Sequence, residues 1–485
     1  MYIGIDLGST NMKAAVYDRD LKCIDMRSRP VEYIRDNGFV EFDAELYFTR
    51  LTGLIAELVS ANRIESVAHI AFTGQAESLV AVDKQGRALT NVISWMDERS
   101  QDECARLAAQ FPADLCERVT GQQAVLPTWP ATKILWLKEH CPDVFAATDK
   151  FMLLKDYIVY KLTGVCQSDM SIATFTFCFN IFEKCWWQEM LDAIGITADR
   201  LPPLAEPCSV AGCLTVEAAN ATGLDCSTLV NHGTLDHFAG MIGTGNTEVG
   251  GVTLSTGTVM ALAAMSAEPA PRDSGIAMHY GFVPDTHVML PVAESGGVSL
   301  EWFHRTCMGD IDYGKMNEVL LQRGGNDLLF LPYLVGTNAP EFDSEACGVF
   351  WGLRQEHDVY DMAHAVMEGV AFVLRKNTDN IRRKGTDLKA IIATGGGAKS
   401  PVWCQLQADI TGLDVLIPKE KEAACLGAAV IAAVADGRYA DFKQAAAETV
   451  SFVRRFTPAP TAETEKKYRR FCALYDAALA VSKIN

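Results

Sequence analysis

Apolar positions along the chain switch repeatedly between a two-residue and a three-to-four-residue period. Tyr2-Ile3-Gly4-Ile5 is a short strand-type run closed by Asp6, and a second run leaves from Lys13 through Ala14-Ala15-Val16-Tyr17. Between them, Leu7-Gly8-Ser9-Thr10-Asn11 is built of small, turn-forming residues, so the opening reads as strand, tight turn and returning strand. Cys23 to Met26 adds a candidate third strand. Glu45 to Val59 then places Leu46, Phe48, Leu51, Leu54, Ile55, Leu58 and Val59 at helical spacing, which predicts an amphipathic helix packed on a sheet. Val67 to Phe72 is a buried-type strand ending at Thr73-Gly74-Gln75-Ala76-Glu77, and Val92 to Trp95 is another.

From residue 100 to about 230 the pattern becomes helical and irregular, with Trp129, Trp136, Trp186 and Trp187, as expected of an insertion on a sheet scaffold. Pro130 to Trp136 reads as a helix start with Pro in its first turn. Lys155-Asp156-Tyr157 opens a second helix that Leu162-Thr163-Gly164 closes, and Ser168-Asp169-Met170-Ser171 follows as a polar loop. A strand from Val230 then enters a glycine turn and a small-residue helix with Asp236 in its first turn.

The second half repeats the plan of the first. Val252 to Leu254, Val259 to Ala263, Ile276 to Phe282, Val288 to Pro291 and Leu328 to Tyr333 read as strands. Ser299 to Thr306 and Asp361 to Arg375 read as helices, and Leu388 to Ala393 is a strand running into Thr394-Gly395-Gly396-Gly397-Ala398. A helix through Trp403 and Leu406, an alanine-rich helix from Ala423 to Ala435 and a charged helical tail after Phe456 complete the chain. Within this half, Gly251 to Leu262 is a second copy of the opening strand, small polar turn and strand.

A length of 485 residues exceeds what one hydrophobic core usually organises, so two domains are expected. The formal net charge of −18 argues against nucleic acid as a partner, because phosphate backbones are held by basic surfaces. With no charged-then-apolar leader and no run of about eighteen apolar residues, the expected setting is cytoplasmic, with no membrane partner. The 15 cysteines are scattered without a C-x-x-C pair and read as reduced, mostly buried thiols. The nine histidines form no His-x-x-x-His pair, which leaves a zinc site unsupported.

Candidate chemistry gathers at the strand ends. Successive N–H groups of a glycine turn form an anion cradle. Asp6 beside such a turn repels phosphate, so a divalent cation between them is the natural inference, although a plain hairpin turn has the same composition. The copy at Ser255 to Thr258 shifts the balance, since two such turns facing one another can grip the two ends of a triphosphate. Gln75 and Glu77 lie where α/β sheets hold ligands, but a polar loop reads equally well. Asp97 and Arg99 either pair on the surface or line a polar cleft. Asp236 sits where the helix dipole favours a negative charge. It is either an ordinary helix cap or a base that takes the proton of a hydroxyl attacking phosphorus. Lys399-Ser400 is not a P-loop, because Ala398 stands where Gly is required.

Taken together, Asp6 to Lys13, Trp95-Met96-Asp97-Glu98-Arg99, Asp236 to Gly240, Ser255 to Thr258 and Gly395 to Ala398 resemble the FGGY carbohydrate kinases of the actin-like ATPase superfamily, over residues 1 to about 440. The resemblance implies an α/β fold of two ribonuclease-H-like domains around an interdomain cleft. Residues 1–245, with a helical insertion at about 100–230, would bind sugar, and residues 246–485 would bind nucleotide. It implies transfer of phosphate from ATP with Mg²⁺, which Asp6 and Asp236 would hold. Ser9, Thr10 and Lys13 would face the transferred phosphate, and Thr256, Gly257 and Thr258 would cradle the nucleotide phosphates. Gly297, Gly396, Gly397 and Ala398 would line the adenosine site, and Asp236 would be the general base. A small sugar is the implied partner and a homodimer the implied assembly. Lys155-Asp156-Tyr157, Leu162-Thr163-Gly164 and Ser168-Asp169-Met170-Ser171 are most similar to xylulokinases, which points to a ketopentose such as xylulose. Those enzymes carry Gly-Gln-Met-His and Asp-Asn where this chain has Gly74-Gln75-Ala76-Glu77 and Asp236-His237, so another ketose, a polyol or a deoxy sugar stays open. Chaperones and filament proteins of the superfamily share the phosphate turns but lack the tryptophan-rich insertion.

Overall fold

β1 (Tyr2–Leu7) and β2 (Asn11–Tyr17) form the antiparallel pair that the opening alternation predicts, with Asp6 opposite Lys13. The computed structural model describes residues 1–269 and 275–483. β3 (Cys23–Pro30) adds an antiparallel edge, and α1 (Ala44–Ala61) starts at Asp43, whose carboxylate accepts a hydrogen bond from the Leu46 N–H. β4 (His69–Gly74) returns parallel to β1. After α2 (Pro130–His140) and α3 (Leu154–Thr163), β5 (Val210–Cys213) and β6 (Leu229–Leu235) complete a six-stranded sheet in the order β5-β6-β4-β1-β2-β3.

α4 (Asp236–Gly243) leads to a second sheet that uses the same wiring. β7 (Gly251–Thr256) and β8 (Met260–Ser266) are antiparallel. Past α5 (Gly297–Cys307) and α6 (Val359–Arg383), β9 (Ala390–Gly395) joins β7 in parallel. α7 (Pro401–Thr411), β10 (Asp414–Pro418), α8 (Ala423–Ala435), β11 (Phe452–Phe456) and α9 (Ala462–Ser482) follow. β1-β2-β3 with parallel β4 and β6 in one sheet match β7-β8-His287–Met289 with parallel β9 and β10 in the other, strand for strand.

The layers follow from which faces are apolar. α1 covers one face of the first sheet, packing Leu51, Leu54, Ile55 and Leu58 against Ile3, Ile5 and Leu7. The other face, with Tyr2, Ala15 and Ala71, shares a core with Leu426, Ala428 and Ala429 of α8, so a helix from the last fifth of the chain lies on the sheet built by the first half. α8 crosses α4 at small residues: a Cβ on Gly427 would sit 1.9 Å from the Ala239 carbonyl oxygen, and one on Gly243 would sit 1.9 Å from that of Ala423. The same core reaches Ala263 and Met265 on β8, which places the α4/α8 pair between the sheets. α6 covers the outer face of the second sheet through Val366, Val370 and Val373.

Three expectations are corrected. Ser168 to Ser171 is a buried bridge and helical turn, because Asp169 caps that turn and pairs with the buried Lys155 at 2.5 Å. Asp97 and Arg99 pair in the interior, where Asp97 is 0 % exposed and Arg99 also binds Glu41 and stacks on Phe39 and Trp136. Of the cysteines, all free, only Cys116, Cys178, Cys404 and Cys425 are buried; the others are partly or fully exposed. No helix among the described residues is long and apolar enough to cross a membrane.

Candidate active site

Strand register assembles the first part of the site. Asp6, Thr73 and Thr234 occupy one row across β1, β4 and β6, and Asp236 follows two residues after Thr234. Asp6 Oδ1 and Thr73 Oγ1 are buried with no hydrogen-bond partner. Burial pushes the Asp6 carboxyl up to about 7, the negative charge of Asp236 adds to that push, and Lys13 opposes it. Asp236 is half-exposed and its Oδ1 accepts from the His237 N–H at 2.6 Å. Two neighbouring carboxylates, one with an orphaned oxygen, form a donor set suited to a hard divalent cation.

The turn after β1 is braced from outside. The Trp95 indole N–H donates to Ser9 Oγ at 2.9 Å and the Tyr33 hydroxyl donates to the Ser9 carbonyl at 2.8 Å. Ser9 Oγ therefore keeps its own proton to donate, while Thr10 is exposed. Lys13 pairs with Glu422, just before α8, at 2.5 Å. Burial works against the Lys13 ammonium, but the Glu422 hydrogen bond and charge outweigh it and raise its pKa. Among the expected substrate residues, Gln75 is buried, with its amide directed at the Leu7 and Gly8 carbonyls and its Oε1 accepting from Ser78 Oγ at 2.7 Å. Ala76 and Glu77 are half-buried, His237 is exposed, and Glu77 adopts a left-handed backbone at φ 62°.

The second copy of the turn gathers the expected nucleotide residues at the ends of β7 and β9. Thr256 pairs with Gly395, and Gly257 and Thr258 are exposed beside them. The Gly297 N–H donates to the Gly257 carbonyl at 2.7 Å and the Val298 N–H to that of Thr258 at 3.0 Å, fastening the start of α5 to the turn. A Cβ on Gly397 would meet Thr256 Cβ at 2.8 Å, so only glycine lets the Gly396-Gly397-Ala398 segment lie this close. Gly395 and Gly396 are exposed there, while Gly397 is buried.

Thr73 and Glu422 reach the site without a signal in the sequence, and Lys133 stands in the Pro130 to Trp136 segment without its part in the site showing there. Lys133 lies in an apolar helix pattern, and Glu422 is 409 positions from the lysine that it binds. Trp95 stood within a recognised segment, but its bond to Ser9 did not show.

Comparison with known proteins agrees over the whole length. Residues 1–243 match the N-terminal domain of the FGGY family of carbohydrate kinases and residues 252–435 match its C-terminal domain. Xylulose kinase of Bacillus subtilis is 31% identical over 480 residues, covering 98% of this chain and 95% of that protein. The crystal structure of xylulose kinase from Rhodospirillum rubrum superposes with a TM-score of 0.93 at 25% identity, covering 99% of each chain. That of gluconate kinase from Lactobacillus acidophilus gives 0.90 at 28% identity, covering 100% of this chain and 98% of that one.

Proposed function

The chain belongs to the FGGY family of carbohydrate kinases, and within it we propose that this enzyme moves the γ-phosphoryl group of ATP to a hydroxyl of a neutral ketopentose such as D-xylulose. Support for the sugar comes from full-length relatives named as xylulose kinases. The observation that carries the choice against an aldonate such as gluconate is the charge around the loop: Asp6, Asp236 and Glu77 are all carboxylates, and none of Gln75, Ala76 and His237 offers a fixed cation. An acid substrate would set like charges side by side in a partly desolvated site, whereas a neutral polyol finds hydrogen-bond acceptors.

In this reading residues 1–245 hold the sugar and residues 246–485 the nucleotide. The orphaned Asp6 oxygen and the Asp236 carboxylate fit Mg²⁺, which when bound would neutralise charge on the phosphates. Ser9, Thr10 and Lys13 face the transferred group, with the Ser9 hydroxyl free to donate. Thr256, Gly257 and Thr258 cradle the remaining phosphates, and Gly297, Gly396, Gly397 and Ala398 line the nucleoside. Asp236 takes the proton of the sugar hydroxyl as its oxygen bonds to phosphorus and the bond from phosphorus to the β-phosphate oxygen breaks. Phosphoryl transfer asks mainly for this positioning and charge neutralisation. The setting is cytoplasmic and the assembly a homodimer on the family likeness alone.

A coupled ADP-release assay across ketoses, polyols, deoxy sugars and aldonates tests the assignment. A neutral ketose is expected to give the highest kcat/KM; fastest turnover of gluconate would overturn the choice of substrate.

A further inference from the structure

Lys133 is 0 % exposed, on the helix α2 of the insertion, and the site assembled above leaves it without a task. Burying an ammonium is costly unless its donors and its charge are both met. Its Nζ donates to the Ser94 carbonyl at 2.8 Å and to the Glu77 carbonyl at 3.2 Å, and among opposite charges the Glu77 carboxylate acts on it most strongly. Those carbonyls belong to two separate loops. One is the turn after β4 that carries Gln75 and Glu77. The other precedes Trp95, whose N–H donates to Ser78 Oγ at 3.1 Å and whose indole donates to Ser9. One buried cation therefore ties the loop expected to meet the sugar to the loop that braces the phosphate turn.

The turn it holds is strained. Glu77 sits at φ 62°, a left-handed conformation that is unfavourable for a residue with a β-carbon and persists only where the surroundings impose it. Burial pushes Glu77 up to about 7 and Lys133 down to about 8, while each one's charge opposes the other's shift. Asp97 and Arg99 act on Lys133 in opposite senses, so Glu77 is its principal partner.

We propose that Lys133 is a positioning residue for sugar selection: it locks the 75–78 turn in its left-handed form and so presents the Glu77 carboxylate as an acceptor for sugar hydroxyls. This rests on the sugar-kinase reading above. Absence of any sugar-dependent ADP release by the wild-type enzyme would remove that reading before a variant is made.

The test uses the full-length enzyme with the best neutral sugar of that screen, in wild type, Lys133→Met, Glu77→Gln and the double variant. Lys133→Met is expected to raise the sugar KM by about tenfold or more while the ATP KM stays within about twofold, a split that general loosening would not give. The double variant should be no worse than the worse single one, because both act through the one Glu77 acceptor. A folded Lys133→Met enzyme with an unchanged sugar KM, or additive losses in the double variant, overturns the proposal. Should Lys133→Met not fold, Glu77→Gln decides alone. It is expected to raise the sugar KM by about tenfold at an unchanged melting temperature, and an unchanged KM overturns the proposal.

Discussion

Asp236 and Asp6 derive their chemistry from a register that brings them together at the ends of parallel strands. If Asp236 is the base, Asp236→Asn keeps shape and volume and loses only the proton acceptor. Turnover is then expected to fall by about 10² to 10⁴, the range of general base catalysis, with nucleotide affinity retained. Stopped ADP release with intact ATP binding, read by calorimetry, checks it. Asp156 is a different case. It is 1 % exposed, both its oxygens lack a hydrogen-bond partner, and Lys155 is 3.8 Å away but held closer by Asp169. Burial pushes its carboxyl from 3.8 up to about 7, with Lys155 opposing and Asp169 adding to the rise. Between those values the native state keeps a proton that the unfolded chain has released, so stability falls as pH rises through the window and stays lower above about 7. Asp156→Asn should therefore melt level with wild type near pH 4 and above it by about 3 °C or more at pH 8. Equal melting at both pH values would refute the argument.

At the scale of elements, α8 shows what a sequence discloses and what it withholds. Its limits, Ala423–Ala435, are legible because an unbroken apolar run ends at charged residues on both sides. Its place between the two sheets is not, since a helix apolar all round has no preferred face. Glycine and hydroxyl turns were readable because turn chemistry is local, whereas Lys133, Glu422 and the Trp95 bond to Ser9 depend on distant partners. Ser168 to Ser171 misled for a related reason: Ser and Asp favour loops until a buried lysine satisfies them. The α4/α8 crossing gives a prediction of its own. Gly427→Val puts a branched side chain where a Cβ already lies 1.9 Å from a carbonyl oxygen, so the helices must part. A loss of about 1–3 kcal/mol or more is expected, seen as a lowered melting temperature and a reduced unfolding midpoint in urea.

For the whole molecule, two sheets of common wiring are joined through a helix pair that packs between them. Closure on sugar and nucleotide would exclude water and keep ATP from being hydrolysed without a sugar. The radius of gyration, about 23 Å for a compact chain of this length, is expected to fall by a few per cent only when both ligands are present, as X-ray scattering would show. No compaction would count against closure.

The late helix on the early sheet also bears on how the protein is made. By the time a ribosome has emitted residue 260, every strand of the first sheet and α4 exist, yet the greasy side carrying Tyr2, Ala15 and Ala71 lacks its main cover, α8, until Leu426 and Ala429 emerge. The nascent chain must wait, sticky and half-clad, for more than 160 further residues. A gene cut at the boundary between the two family domains would leave its front product in that state for good, destined for aggregates rather than for solution.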